Sequence, residues 1–179
     1  MNSPGKNDRP MNPMPRHTVY ISVGSNMGAK IDQCRLGISR VAAHAAIELT
    51  ATSPFYRTAP VDYTDQDWFV NAAFRIETVL SPHDLLTVTN AVQTACGQGV
   101  KEIRFGPRTL DLDLIFYDQQ VVKSADLELP HPRMHKRRFV LQPICDIDPQ
   151  FRHPLLGCSV RELLENLQDD QQEVVRIDA

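Results

Sequence analysis

Two aspartates with strand-like spacing are the residues in this chain most suited to do chemistry. Asp111 and Asp113 lie in the run GPRTLDLDL at 106–114. Side chains at positions i and i+2 of a strand point to the same face, so the two carboxylates would stand side by side with the leucines packed behind them. Adjacent carboxylates repel each other unless a cation lies between them, and Mg²⁺ prefers oxygen ligands. The spacing indicates a divalent metal site, although a half-buried strand with a polar face would carry the same pattern.

Cationic side chains flank the aspartates in the sequence. Arg108 lies just upstream, and its planar guanidinium matches the geometry of a phosphate group. The others are Lys101 and Arg104 before the aspartates, and His131, Arg133, His135, Lys136, Arg137 and Arg138 after them. If both groups border the carboxylates, they form a pocket suited to phosphoryl or pyrophosphoryl transfer, where catalysis is mainly positioning and charge neutralisation. For any single member of the later group, a solvated basic surface is the other interpretation. The chain has no GxxxxGK[ST] phosphate loop.

Other side chains could hold a flat organic ligand. His131 lies between two prolines that keep its backbone extended, and it is either a ligand-binding or a structural histidine. Asn71 lies in an apolar strand, where a buried amide must be hydrogen-bonded, either to the backbone or to the amide edge of a heterocycle. The possible stacking faces, which core packing would equally explain, are Phe55, Phe69, Phe105 and Phe139.

The composition fits a single globular domain. The chain has 179 residues, of which 42% are hydrophobic and 23% charged. Its net charge of −3 argues against general nucleic-acid binding, so an anion site must be a local cluster of cations. No apolar run approaches the ~20 residues that cross a bilayer, so no membrane association is expected. Residues 1–16 contain four prolines and no apolar stretch, which predicts a disordered tail before one domain at 17–179.

The cysteines indicate a reducing compartment. Cys34, Cys96, Cys145 and Cys158 are far apart and form no CxxC pair. Zinc binding and a disulfide framework are therefore not expected, and reduced thiols in a cytoplasmic protein are.

Hydrophobic periodicity predicts alternating strands and helices. The predicted elements are a strand at 19–23, a helix at 30–46, strands at 47–60 and 68–80, a helix at 81–97 capped by Ser81, the aspartate strand, a hairpin pairing 121–122 with 127–129, and a helix that begins at Ser159 with Glu162 as capping partner. Residues 139–147 are a short apolar run without an assigned element. The order β-α-β-β-α-β indicates a ferredoxin-like α+β fold, with helices packed on the faces of an antiparallel sheet.

Five ordered segments resemble the 6-hydroxymethyl-7,8-dihydropterin pyrophosphokinase family of folate biosynthesis. They are YISVGSN at 20–26, FYRTAP at 55–60, FVNAA at 69–73, RFGPRTLDLD at 104–113, and LPHP at 129–132 followed by RRFVL at 137–141. The resemblance spans about residues 18–167. It implies a ferredoxin-like fold and transfer of the β,γ-pyrophosphate of ATP to the hydroxymethyl group of a reduced pterin, with release of AMP.

The resemblance also implies roles for individual residues. Asp111 and Asp113 would hold two Mg²⁺ ions and, with Arg108, form the catalytic group. The residues implied in ATP binding are Gln93, Lys101, Arg104, Arg108, Leu114, His131 and Arg137. The residues implied in pterin binding are Thr58, Ala59, Val61, Phe69, Asn71, Phe105 and Phe139, with Phe105 and Phe139 on the two sides of the ring. The implied partners are ATP and the pterin, without nucleic acid or membrane, and the oligomeric state stays open.

Three positions depart from the family pattern. Gln93 stands where the family usually has glutamate, and Gln98 and Val100 stand where it commonly has two arginines. Loss of a charge-assisted phosphate contact costs about 1.5–3 kcal/mol, for which Lys101 could partly substitute. The leading hypothesis is an active pyrophosphokinase. One alternative is a catalytically weakened paralogue that binds pterin or nucleotide, and another is an enzyme acting on a different pterin-like alcohol.

Overall fold

A six-stranded antiparallel sheet, whose central strands are largely buried on both faces, lies at the centre of the molecule. The computed structural model describes residues 16–61, 65–97, 106–168 and 172–178. The sheet contains β1 (His17–Ser25), β2 (Ile47–Thr52), β3 (Phe55–Thr58), β4 (Phe69–Thr78), β5 (Asp111–Tyr117) and β8 (Val174–Ile177). Its order is β5-β1-β4-β3-β8, and β2 pairs with the part of β4 that β3 leaves free. A small hairpin is formed by β6 (Val122–Lys123) and β7 (Glu128–Leu129).

Helices cover both faces of this sheet. The first face carries α1 (Lys30–Ala42) and α2 (Pro82–Ala95), and the second carries α3 (Arg138–Ile147) and α4 (Val160–Glu165). Because strand side chains alternate, Val19 and Ile21 pack in the core under α1 and α2, whereas Tyr20 packs in the core under α3 and α4. The predicted α+β architecture is confirmed.

Two predicted elements need correction, and two observed elements were not predicted. The single strand expected at 47–60 is wrong, because Pro54 separates β2 from β3 and has no N–H to donate to a sheet. The helix expected at 30–46 ends at Ala42, after which the chain turns at His44. Residues 139–147 lie in α3, which the short apolar run did not reveal because it contains Pro143. The sequence analysis also missed β8.

The predicted helix starts are confirmed. Ser81 caps α2 by accepting a hydrogen bond from the Asp84 backbone N–H at 3.2 Å. Ser159 and Glu162 form a complete capping box at the start of α4. Side-chain oxygens of this kind satisfy backbone donors that have no partner within the helix.

Two tyrosines fasten the end of α3 to the sheet. The Tyr20 hydroxyl donates to Asp148, 2.7 Å away, and the Tyr56 hydroxyl donates to Asp146. Burial raises the pKa of both tyrosines, so both hydroxyls stay protonated donors. These contacts hold α3 against β1 and β3, and its first residues stand beside the cleft described below.

His153 should make the stability of the fold depend on pH. Its side chain is buried, and Nδ1 accepts hydrogen bonds from the backbone N–H groups of Leu155 and Leu156. Burial, and to a smaller extent His135, lowers the pKa of His153 below its ordinary value of 6.5. The unfolded chain therefore binds a proton that the native state does not bind as the pH falls below about 6.5. The free energy of unfolding should decrease in that direction.

A His153→Asn variant isolates this effect. The asparagine oxygen can accept hydrogen bonds as Nδ1 does, but it does not titrate. Urea unfolding between pH 7 and pH 5 should show a steeper loss of stability for the wild type than for the variant. Contributions from histidines that do not interact with His153 cancel in this comparison. Equal slopes for the two proteins would contradict the account.

Candidate active site

A cleft of about 650 Å³ opens on the face of the sheet that carries α3, beside the first residues of that helix. Ten of the residues predicted from the sequence line it: Thr58, Ala59, Val61, Phe69, Asn71, Arg108, Asp111, Asp113, Arg137 and Phe139. The cleft is also lined by four residues that were not predicted to contact a ligand: Ser22, Gly24, Pro60 and Gln66. Five segments that are distant in the sequence thus meet at one cavity.

The strand register places the two aspartates on the floor of the cleft. Asp111 lies opposite Gly24 and Asp113 lies opposite Ser22, and residues directly opposite each other in an antiparallel pair share a face. The leucines between and after the aspartates point the other way into the core. The predicted side-by-side arrangement of the carboxylates is confirmed.

An unusually close approach of Gly24 to Asn71 shapes the middle of the cleft. A Cβ atom added to Gly24 would lie 2.5 Å from Asn71 Oδ1. Asn71 is only 5% exposed, and its Nδ2 donates to Thr58 Oγ1 at 2.6 Å. The amide is therefore fixed from both sides, with its edge available to the cleft. A glycine inside a strand is a signal for close approach, and it could have identified Gly24 from the sequence.

Arg108 pairs with one of the two aspartates. Its Nη1 lies 2.6 Å from Asp111 Oδ2, and the two side chains are only 18% and 22% exposed. In the structure the guanidinium thus compensates part of the charge that the two carboxylates bring together. A bound phosphate or metal ion would share this carboxylate with Arg108.

A second hollow shares Asp111 and Asp113 with the cleft. Among the described residues, the three predicted ATP-binding residues that do not line the cleft line this hollow: Gln93, Leu114 and His131. Asn90 and Pro132 also border it. Asp111 and Asp113 therefore border two cavities, one with residues expected to bind pterin and one with residues expected to bind ATP.

His131 is a neutral side chain in this hollow. Burial, followed by the nearby Arg137 and Arg133, lowers the pKa of His131 to about 4. Its Nδ1 accepts a hydrogen bond from the Arg133 backbone N–H at 3.2 Å, so the proton of the neutral ring is on Nε2. Counting His131 among the cations was wrong, and its available contribution is one N–H donor.

Gln93 is engaged by the protein itself. Its Oε1 accepts a hydrogen bond from the Leu112 backbone N–H at 3.0 Å, and its Nε2 donates to Asn90 Oδ1 at 3.2 Å. Leu112 lies between the two aspartates on a strand at the edge of the sheet. Gln93 therefore attaches the aspartate strand to α2, and its role in binding ATP stays a prediction.

Five positions that were singled out from the sequence lie outside the residues that the structure describes. They are Lys101, Arg104 and Phe105 of the predicted ligand sets, and Gln98 and Val100 of the departures from the family pattern. Most of the predicted N-terminal tail, residues 1–15, also falls outside. What was expected of these positions stays a prediction.

Asn26 connects two borders of the cleft. Its Oδ1 accepts from the Arg108 backbone N–H at 2.7 Å, and its own backbone N–H donates to the Arg108 carbonyl at 3.1 Å. Its Nδ2 donates to Gln66 Oε1 at 2.9 Å and to the Asp67 carbonyl at 3.3 Å. Asn26 is 4% exposed. It therefore fixes the turn before the aspartates relative to the segment that precedes β4.

An Asn26→Ala variant should lose about 1–3 kcal/mol of unfolding free energy, because part-buried polar groups of Arg108 and Gln66 lose a partner. We also expect Arg108 to bind phosphate groups less well. Urea unfolding and the KM for ATP measure the two effects. Met27→Ala is the control, since Met27 is the next residue and is exposed. Unchanged stability and KM in the Asn26 variant would contradict this role.

The site has too few protein ligands for a metal held by protein alone. Among the residues that the structure describes, no group of three or more histidine, cysteine, aspartate or glutamate side chains could hold a metal ion. Two carboxylates beside an open cavity do fit Mg²⁺, which usually keeps several water molecules and binds substrate phosphates along with one or two carboxylates. Asp111 and Asp113 are thus suited to a metal–nucleotide complex.

An α+β fold with two carboxylates and an arginine at an open cleft fits an enzyme that acts on phosphate groups. The family model of 7,8-dihydro-6-hydroxymethylpterin-pyrophosphokinase (HPPK) matches residues 20–149. The match covers more than half of the chain, and the chain belongs to this family.

Relatives support the same assignment. The chain is 40% identical over 132 residues to 2-amino-4-hydroxy-6-hydroxymethyldihydropteridine pyrophosphokinase of Bacillus subtilis, covering 74% of this chain and 78% of the relative. The protein of the same name from Methylorubrum extorquens is 41% identical over 149 residues, covering 83% of this chain and 92% of the relative. The chain spans only 22% of the longer folic acid synthesis protein FOL1 of Dictyostelium discoideum, to which it is 39% identical over 83% of its own length.

Solved structures agree on the fold. The crystal structure of wild-type Plasmodium falciparum HPPK-DHPS with pteroate matches with a TM-score of 0.67 at 12% identity, covering 84% of this chain and 42% of that one. The predicted ferredoxin-like fold and the predicted pterin pyrophosphokinase activity of folate biosynthesis are confirmed at the level of the family. In the part of the chain that the structure describes, no helix is both long and apolar enough to span a membrane.

Proposed function

We propose that this chain transfers the β,γ-pyrophosphate of ATP to the hydroxymethyl group of 6-hydroxymethyl-7,8-dihydropterin and releases AMP. The observation that carries the proposal is the position of Asp111 and Asp113, which border both the cleft and the second hollow. A donor in one cavity and an acceptor in the other would meet at these carboxylates. Pyrophosphoryl transfer needs this kind of positioning together with charge neutralisation.

The cleft would bind the pterin. The Asn71 amide, held by Thr58, would pair with the amide-like edge of the heterocycle, and the backbone around Ala59 would supply further hydrogen bonds. Phe139 and Phe69 provide apolar surface at the cleft walls for the ring. This arrangement would direct the hydroxymethyl group of the pterin towards Asp111 and Asp113.

The second hollow and the adjoining cations would bind ATP. Arg108 and Arg137 would contact the phosphates, His131 would donate its Nε2–H, and Leu114 would contact the nucleotide. Asp111 and Asp113 would hold two Mg²⁺ ions, which neutralise the triphosphate and lower the pKa of the attacking hydroxyl when bound. The hydroxyl oxygen would attack the β-phosphorus and lose its proton to water, while the bond from that phosphorus to the bridging oxygen breaks and AMP leaves with that oxygen.

The test is the nucleotide product. Purified protein is incubated with ATP, Mg²⁺ and 6-hydroxymethyl-7,8-dihydropterin, and nucleotides are separated by chromatography. We expect AMP that depends on pterin, without ADP. A reaction without pterin is the control for ATP hydrolysis. Formation of ADP, or AMP at the same rate without pterin, would contradict the proposal.

A second candidate, the catalytically weakened paralogue, is motivated by Gln93, Gln98 and Val100. It predicts pterin binding, measured by fluorescence, with little or no AMP. The double variant Gln98→Arg/Val100→Arg should then gain activity sharply. The active enzyme predicts measurable AMP formation without these changes.

The cytoplasmic location expected from the cysteines stays a prediction.

A further inference from the structure

The C-terminal segment lies against two walls of the cleft. Residues 172–174 follow the part of the chain matched by the family model, which ends at residue 149. Val174 opens β8 and pairs with Thr58 of β3. The Glu173 carbonyl accepts a hydrogen bond from the Ala59 backbone N–H at 3.1 Å. The segment therefore extends the hydrogen bonding of β3 as far as the wall that contains Thr58 and Ala59.

Gln172 makes the contact with the opposite wall. Its Oε1 accepts a hydrogen bond from the Arg138 backbone N–H at 2.7 Å, and its Nε2 donates to the Lys136 carbonyl at 2.9 Å. These two backbone groups lie on either side of Arg137, which lines the cleft. Gln172 is only 7% exposed. A buried glutamine that uses both ends of its amide in this way fixes the local backbone.

The hydrogen bond to Arg138 also completes the start of α3. Arg138 is the first residue of this helix, and the residue before it, Arg137, gives no side-chain cap. The first N–H groups of a helix have no partner within the helix and need one from elsewhere. Gln172 supplies that partner, and the orientation of Phe139, the next helical residue, follows from how α3 begins.

We propose that residues 172–174 form a C-terminal clamp that sets the distance between the Thr58–Ala59 wall and the Arg137–Phe139 wall, and that Gln172 is a positioning residue for the pterin. The inference rests on the proposed function of the cleft. Gln172 acts on the pterin through Phe139. Its effect on ATP passes only through Arg137, one of several groups proposed to contact the phosphates, so its replacement should weaken pterin binding more than ATP binding. If Gln172 were needed only for stability, its replacement would weaken the apparent binding of both substrates by the same factor, which the folded fraction would set.

The test compares two variants with a matched control. Gln172→Met keeps the size of the side chain and removes both hydrogen bonds, whereas Gln172→Glu keeps an acceptor for Arg138 and loses the donor to Lys136. Val175→Thr, at an exposed position of β8, is the control. All are assayed at a temperature where thermal unfolding shows them fully folded. We expect a roughly tenfold rise in the KM for pterin for Gln172→Met, a smaller rise for Gln172→Glu, and in both variants a smaller change in the KM for ATP than in the KM for pterin.

Two further measurements separate this inference from the proposed function. Pterin affinity by fluorescence titration should follow the same order of variants, even if the wild type formed no AMP. Hydrogen exchange should become faster at the amides of Ala59 and Arg138 in Gln172→Met and stay unchanged in Val175→Thr. A folded Gln172→Met variant with wild-type pterin affinity, or with equal losses for pterin and ATP, would overturn the clamp.

Discussion

Replacement of Asp113 by alanine should lower the kcat of pyrophosphoryl transfer by about a thousandfold or more. Metal ions contribute several kcal/mol to stabilising charge in reactions of this kind, and each 1.36 kcal/mol is a factor of ten in rate. Asp113 borders the cleft and the second hollow, so its loss would remove a proposed metal ligand where the two cavities adjoin. The pterin-binding amide of Asn71 is untouched, and pterin affinity should therefore stay within a few-fold of the wild type.

Asp111→Ala should lower kcat by a similar factor, and it should also affect the binding of ATP. Asp111 is the ion-pair partner of Arg108, so its removal also frees the guanidinium. We expect the KM for ATP to change in this variant as well as kcat. Steady-state kinetics at several Mg²⁺ concentrations measure both effects, with the exposed Asp32→Ala as control. Retention of more than a tenth of the wild-type kcat by both active-site variants would contradict the metal assignment.

Gly24→Ala should weaken pterin binding by about a hundredfold, although it adds a single methyl group. The new Cβ would approach Asn71 Oδ1 to 2.5 Å, so the amide must rotate away from its position beside Thr58. A site that hydrogen-bonds its ligand loses much of its affinity when a buried polar group is left unpaired. Because the displaced atom ends a side chain, the fold should adapt at a cost of about 1–3 kcal/mol.

A double-mutant cycle tests this mechanism. Asn71→Ala alone should weaken pterin binding by a similar factor. Since the alanine removes the atom that Gly24→Ala displaces, the double variant should bind pterin no more weakly than Asn71→Ala. Fluorescence titration gives the affinities, and thermal unfolding confirms that each variant is folded. Additive losses in the double variant would mean that Gly24 acts through something other than Asn71.

Local patterns in the sequence were sufficient to predict that the two aspartates lie side by side on the floor of the cleft. The alternation of leucine and aspartate at 110–114 fixes which side chains share a face of β5, whatever the strand packs against. The capping residues Ser81 and Ser159 likewise act on backbone groups within three residues. These features depend on short-range geometry, and the structure has them as expected.

Contacts between distant segments could not be predicted in this way, because no local sequence pattern indicates them. Asn26 meets Arg108 across 82 positions, and Gln172 meets Arg138 across 34. A buried amide that binds backbone groups carries no periodicity, so nothing in the sequence distinguishes it from an exposed one. α3 was missed because the ten-residue helix contains Pro143, which ordinarily argues against a helix interior. By contrast, Pro54 is visible in the sequence and indicates that β2 and β3 are separate strands. The prediction of a single strand did not take this proline into account.

The most direct test of pyrophosphoryl transfer follows the β-phosphate itself. ATP labelled in its β-phosphate is incubated with Mg²⁺, 6-hydroxymethyl-7,8-dihydropterin and the protein, and the labelled products are separated. The account predicts that the label moves to the pterin in an amount equal to the unlabelled AMP formed, and that Asp113→Ala abolishes this transfer. Label found in ADP, or label that stays in ATP while pterin is bound, would contradict it.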